Sequence, residues 1–136
     1  DATRGTEVFV SDSGNHRVRR IRPAIRQSGE ENWNAAIIET ISGDGAPGSY
    51  DTRTQREKPK ASVLLTSRLD ARFALPEGVA CAGDGAVVIA DTLNSRIRHV
   101  SPDGLTVTLA GDDGVGYSNG AGGQARFRGP RGIAVD

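Results

Sequence analysis

An all-β fold built from repeated antiparallel four-stranded units is what this sequence predicts, and three observations carry that prediction. The stretch "SDSGNHRVRRI" (residues 11–21) recurs without a gap as "ADTLNSRIRHV" (residues 90–100), with Asp12 on Asp91, Asn15 on Asn94 and Arg17 on Arg96, at a constant offset of 79. A second stretch, "ARFALPEGVA" (71–80), recurs as "ARFRGPRGIA" (125–134) at an offset of 54. Finally, 18 glycines and few aromatic residues in 136 fit a turn-rich β protein with short strands. Self-similarity of this kind comes first, because overlooking it misassigns the whole fold.

The elements follow in order. One unit offers four short apolar runs: "GVACA" (78–82), "AVVIA" (86–90), "RIRHV" (96–100) and "TVTLA" (106–110). Gly83-Asp84-Gly85 joins the first two and Pro102-Asp103-Gly104 the last two, both with tight-turn chemistry. Four strands joined in this way form an antiparallel meander that cannot bury both faces alone, so the unit must stack on copies of itself. A four-stranded repeat of this length points to blades of a β-propeller.

The first copy is longer. The offsets differ by 25, and two insertions account for it: 11 residues between Ile21 and Thr40, and 14 between Gly43 and Phe73. The expected organisation is a partial blade over 1–50, comprising strands two to four with an insertion near 22–38. An inserted polar loop over 51–70 follows, then a complete blade with its linker over 71–124. Residues 125–136 read as the end of a linker and the first strand of a further blade, "GIAVD". Propellers close with roughly four to eight blades, so about two blades are expected to be an excerpt with unpaired strand edges. The absence of Met and the opening Asp agree with that expectation.

Length fits one ordinary domain. Seventeen basic and seventeen acidic residues cancel, so no global field draws nucleic acid or an anionic membrane. Fifteen of the basic residues are Arg, which favours fixed planar pairs over a solvating coat. Cys81 is alone, so neither a disulfide framework nor a zinc cluster is expected, and its apolar strand context predicts a buried thiol. No apolar run is long enough to span a membrane and no signal-peptide pattern appears.

Two readings compete for the charged motif. In one, Asp12, Asn15, Arg17 and Asp91, Asn94, Arg96 wire the hairpin, with Asn and Asp bonding turn amides and Arg bridging a carboxylate. In the other, Arg19 and Arg20, with Arg17, Arg22 and Arg26, form a phosphate-binding face. Recurrence in each unit favours wiring. Phe73 and Phe127, each before a Pro-x-Gly turn, are expected core anchors. Trp33, the single tryptophan, sits in the first insertion, expected to be a loop, where an aromatic anchors a partner or covers its own blade. "GDDGVGYSNGAGG" (111–123) lacks both the Gly-Lys-Ser/Thr of a phosphate loop and the third glycine of a dinucleotide fingerprint, so it is an inter-blade connection. His16 and His99 do not align and lack a metal-ligand partner at a fitting spacing, so no metal and no cofactor is implied. No catalytic set can be assigned.

Taken together, these stretches resemble the NHL repeat, named for an Asn-His-Leu triplet. Asn15-His16 is retained with Arg17 in the Leu position, while the second copy has Asn94-Ser95. The following "LAGDDGVGYSNGAGGQARFRGPRGIAVD" is similar to the long NHL linker. The resemblance covers all but the two insertions and implies a propeller of six or so blades whose loops bind proteins, RNA or small ligands, usually without catalysis. The reading is therefore a non-catalytic scaffold fragment that binds a protein partner or ligand and needs the remaining blades of its parent chain. One alternative is a metal-dependent propeller lyase or hydrolase whose site other blades complete. The other is RNA binding through the arginine face.

Overall fold

In the computed structural model, residues 5–49, 51, 69–112 and 114–136 are described. Seven strands form two antiparallel sheets: β1 (Val8–Asp12), β2 (Arg17–Ile25) and β3 (Glu31–Ser42) in one, and β4 (Pro76–Cys81), β5 (Val87–Asp91), β6 (Arg96–Val100) and β7 (Thr106–Ala110) in the other. Strand order follows chain order in both sheets. Among the described residues there is no α-helix, and none is long and apolar enough to cross a membrane. The fold is all-β, and the four strands expected of a whole unit are all present.

Local chemistry sets each bend. At the β4–β5 turn, Asp84 Oδ1 accepts the Ala86 N–H at 3.0 Å and Gly85 takes a φ of 84°. Asp103 does the same for Leu105 at the β6–β7 turn, where Gly104 has a φ of 89°. The Ser101 hydroxyl and the Leu105 N–H hold the Asp103 carboxyl below its usual range. The β1–β2 and β5–β6 links are single 3-10 turns, Ser13–Asn15 and Thr92–Asn94. They close on His16 (φ 53°, ψ 40°) and Ser95 (φ 53°, ψ 39°). Two side chains of different chemistry share one left-handed conformation, so the turn is set by the repeat and not by the residue.

Alternation gives each sheet two apolar faces. Phe9, Val18 and Ile41 of the first sheet pack against Val79, Val87, Ile89 and Val100 of the second, with Ala71 and Phe73 of the linker completing the core. Ser42 and Thr106, both fully buried, join their hydroxyls across this interface at 2.6 Å. Phe73 is the expected anchor, at 0% exposure; Phe127, its counterpart, is half-buried because it lies on the side of the second sheet that no further sheet covers.

Three expectations are corrected. The insertion near 22–38 is not a loop: it lengthens β2 and β3 into a protruding hairpin, so Trp33 sits in a strand. Its residues 33–36 bulge opposite Pro23, which has no N–H to give the ladder. Cys81 is exposed, because it ends β4 beyond the packed layer. Residues 132–136, expected as a strand, belong to neither sheet. The inserted loop expected over 51–70 lies outside the described residues except for Asp51, Leu69 and Asp70.

Gly43 (φ 101°) and Gly111 (φ 94°) follow the last strand of each sheet. A Cβ there would stand 2.6 Å from the His16 carbonyl oxygen and 2.5 Å from that of Ser95, respectively. Gly43→Ala and Gly111→Ala should each lower the unfolding free energy by roughly 1–3 kcal/mol, through left-handed strain and backbone overlap. Gly83→Ala, where a Cβ meets nothing within 4 Å, should stay within about 0.5 kcal/mol. Urea midpoints at unchanged slope measure all three.

Candidate functional site

The charged motif resolves into one circuit drawn twice. Asp91 Oδ2 accepts from Asn94 Nδ2 and from Arg98 Nη1, each at 2.8 Å, and Asp91 Oδ1 accepts the Ala74 N–H at 2.8 Å. Asp12 accepts from Asn15 Nδ2 at 2.9 Å and from Arg19 Nη1 at 3.2 Å. The arginine that closes the circuit is therefore Arg19 or Arg98, and not Arg17 or Arg96 as the alignment first implies. Asp12 and Arg17 are direct cross-strand partners, but a guanidinium on so long a stem reaches the carboxylate better from the diagonal position two residues on. Arg17 donates instead to the Asp44 carbonyl at 3.2 Å, and Arg96 to that of Ser49 at 3.1 Å.

Arg98 is the most enclosed charge. It is fully buried, pairs with Asp91 at 2.8 Å and Asp51 at 2.7 Å, donates to the Arg72 carbonyl at 3.1 Å, and lies 5.1 Å from the centre of the Phe73 ring. Burial pushes the Asp91 carboxyl above 3.8, against the pull of Asn94, the Ala74 N–H and Arg98. A second duplicated pair ties each linker: Arg72 to Asp44 and Arg126 to Asp112. The Gly114 N–H and Arg126 hold the Asp112 carboxyl below its usual range.

The junctions between units repeat as well, and sequence reasoning missed them. Ser13 Oγ donates to the Pro76 carbonyl, as Thr92 Oγ1 does to that of Pro130 at 2.8 Å. His16 Nδ1 accepts the Leu75 N–H at 3.1 Å, and Ser95 Oγ accepts the Gly129 N–H at 3.4 Å. The legible signal was the hydroxyl shared by Ser13 and Thr92 at an offset of 79. His16 against Ser95 gave none, since an imidazole and a hydroxyl do the same work only through their acceptor atoms.

Apart from this framework stands one groove. A cavity of about 550 Å³ is formed where the lengthened hairpin outreaches the second sheet; Pro23, Ala24, Ile25 and Ile37 give it an apolar floor, and Glu7, Arg20 and Arg22 a charged rim. Arg20 is held by Glu39 and, at 3.5 Å, by Glu7, whereas Arg22 is 46% exposed and meets Glu39 only at 3.9 Å. Glu31 braces the wall, accepting the Thr6 N–H at 2.7 Å and Trp33 Nε1–H at 3.1 Å; the Thr6 bond leads in lowering its carboxyl's affinity for protons. Trp33 stays 42% exposed. The candidate binding residues are thus separated: Arg19 belongs to the circuit, while Arg20 lies at the groove and Trp33 is tied to its wall. Among the described residues, no group of three or more His, Cys, Asp or Glu side chains could hold a metal.

No protein-family model and no curated protein matches this chain. Solved structures do. A protein of unknown function from Bacteroides thetaiotaomicron superposes with a TM-score of 0.65 at 24% identity, over 94% of this chain and 27% of that one. An auxiliary nutrient binding protein from Bacteroides ovatus gives 0.65 at 20% identity, over 93% and 29%. Another, from Bacteroides thetaiotaomicron, gives 0.64 at 20%, over 94% and 29%. The chain shares their fold. It spans less than a third of the length of each of these proteins.

The two copies of the circuit differ in burial, and so should their energetics. Arg98→Met leaves Asp91 buried without its main counter-charge and should cost roughly 3–5 kcal/mol. Arg19→Met, in a partly exposed pair, should cost about 1 kcal/mol or less. For pH, the raised Asp91 carboxyl means that the folded state binds more protons than the unfolded state just above 3.8, so the stability this group contributes falls as pH rises through that window. Asp91→Asn has no such proton to lose. Urea midpoints taken from below 3.8 to neutrality should show the wild type losing stability relative to Asp91→Asn.

Proposed function

We propose that this chain is part of an NHL-type β-propeller that acts as a non-catalytic scaffold, binding a ligand or protein partner at the groove of the lengthened β2–β3 hairpin. On this reading residues 1–50 and 71–124 are neighbouring blades, and 125–136 begin the next. The observation that carries it is the division of labour among polar groups. Asp12, Asn15, Asp91 and Asn94, together with Arg17, Arg19, Arg96 and Arg98, are engaged in internal bonds in both copies. The groove, by contrast, belongs to the one copy with the longer strands. It combines an apolar floor with a few polar groups, the usual make-up of a small-ligand site. The binding function named for two of the similar structures supports the same reading.

The arginine-face alternative is weakened by geometry. Arg19 and Arg20 point to opposite faces of β2, and each is paired with a carboxylate. A phosphate-binding face needs clustered charge that is free to meet its ligand.

Trp33 is the chain's single tryptophan and is joined through Glu31 to Thr6 at the groove, so its emission is the reporter for that site. Titration with sugars, amino acids and nucleosides should give a saturable change for at least one class. Arg22→Ala and Ile37→Asp should each weaken that binding at least about tenfold, a loss of about 1.4 kcal/mol, without moving the urea midpoint by more than about 0.5 kcal/mol. A change unaffected by both variants would place the ligand elsewhere.

A further inference from the structure

The second sheet serves as a control for the groove on the first, because it shows which charges the repeat requires. At the offset of 79, Glu7, Arg20 and Arg22 stand on Ala86, His99 and Ser101. The contrast holds across the strand pair as well: Arg20 faces Glu39, whereas His99 faces Val107. The circuit of Asp, Asn and Arg is drawn in both copies, but these four charged groups occur in one copy only. Three of them line the groove, and Glu39 is paired with Arg20, one of the three. Arg22 lies on β2, the middle strand of its sheet, opposite Ile37.

The two arginines are unequally engaged. Arg20 donates to Glu39 Oε1 through Nε at 2.7 Å and through Nη2, and its Nη1 stands 3.5 Å from Glu7 Oε1. Its side chain is only 18% exposed. Arg22 is 46% exposed, and its Nη2 is 3.9 Å from Glu39 Oε2, too far for a hydrogen bond. Among the described residues its guanidinium donates no hydrogen bond at all. The repeat does not need this cation. It turns a planar fork of N–H donors to the groove, beside an apolar surface of Pro23, Ile25 and Ile37.

We propose, resting on the reading of the groove as the binding site, that its ligand is a small carboxylate monoanion with an apolar body. Arg22 donates paired N–H bonds to the carboxylate, and Pro23, Ile25 and Ile37 take the body. The fork of a guanidinium matches the two oxygens of a carboxylate. Glu7 and Glu39 set the limit on charge. One negative charge on the ligand gives Arg22 the bonds it lacks, whereas a second meets two carboxylates already in place. A phosphate monoester is therefore a poorer fit. The two halves of the ligand do different work. An ion pair at a half-exposed arginine adds little affinity alone, so burial of the body supplies most of it and Arg22 supplies the discrimination between an acid and its neutral analogue. Amino acids with apolar side chains carry both features; sugars and nucleosides do not.

Isothermal titration of the full chain with hexanoate, its uncharged amide hexanamide, acetate and hexyl phosphate tests each part. Hexanoate should bind at least about tenfold more tightly than hexanamide, which lacks the charge. It should also bind at least about tenfold more tightly than acetate, which lacks the body. Hexyl phosphate, with roughly two negative charges near neutral pH, should bind no more tightly than hexanoate. Arg22→Gln should lower hexanoate to the affinity of hexanamide; the comparisons within the wild type hold however that variant folds. Equal binding of hexanoate and either hexanamide or acetate by the wild type overturns the assignment. So does tighter binding of hexyl phosphate, or a preference for the acid that persists in Arg22→Gln. If hexanoate does not bind while a sugar or nucleoside gives the change that Arg22→Ala and Ile37→Asp weaken, the groove stands and the carboxylate assignment falls. If no compound gives such a change, both fall.

Discussion

The second sheet is organised around one fully buried ion pair, Asp91 with Arg98. Removing two charges from water is expensive, and their attraction offsets the expense only when the remaining hydrogen-bonding capacity is also met. Here most of it is met, from four sides. Asn94 and the Ala74 N–H complete the carboxylate, while Asp51 and the Arg72 carbonyl complete the guanidinium. Those partners come from three parts of the chain: Asn94 from the β5–β6 turn, Arg72 and Ala74 from the linker before β4, and Asp51 from the segment after the first sheet. The pair thus acts less as a source of stability than as a condition that turn, linker and sheet must satisfy together. A buried polar network with this many bonds made tends to enforce one arrangement over near alternatives.

The first sheet shows the same circuit under a lighter constraint. Arg19 and Asp12 keep 29% and 27% of their side-chain surface, and among the described residues no backbone N–H serves Asp12 as Ala74 serves Asp91. One chemical motif accordingly appears in two states of enclosure within one chain, which separates what the residues do from what their surroundings add. The hydrogen-bond geometry is common to both. In the second copy, burial raises the Asp91 carboxyl.

Much of this was legible in the sequence, for a physical reason. Strand ends fell where Gly-Asp-Gly and Pro-Asp-Gly predicted them, because turn chemistry is local and each such tripeptide satisfies its own backbone. The doubling of the circuit was legible because Asp, Asn and Arg recur at fixed spacings. What could not be read was the choice among neighbouring arginines, since cross-strand and diagonal positions differ by geometry that residue spacing does not express. The lengthened hairpin was likewise hidden. "RQSGEENWNAAII" is polar enough to look like a loop, yet β2 and β3 pair again beyond Pro23, at Ala24–Asn32 and Ile25–Glu31, and Ile37 of this stretch lines the groove. Cys81 misled in the other direction: an apolar neighbourhood in sequence says nothing about where a strand leaves the packed layer.

The clamps between units carry a consequence for shape. Ser13 and Thr92 grip the incoming prolines, and His16 and Ser95 the residues just before them, at corresponding backbone atoms. A strand pinned at the same two points leaves each sheet from the same place and in the same backbone setting. The exit of the chain is therefore fixed at the joint itself, by a hydroxyl on one carbonyl and an acceptor on one N–H, whatever sequence follows it.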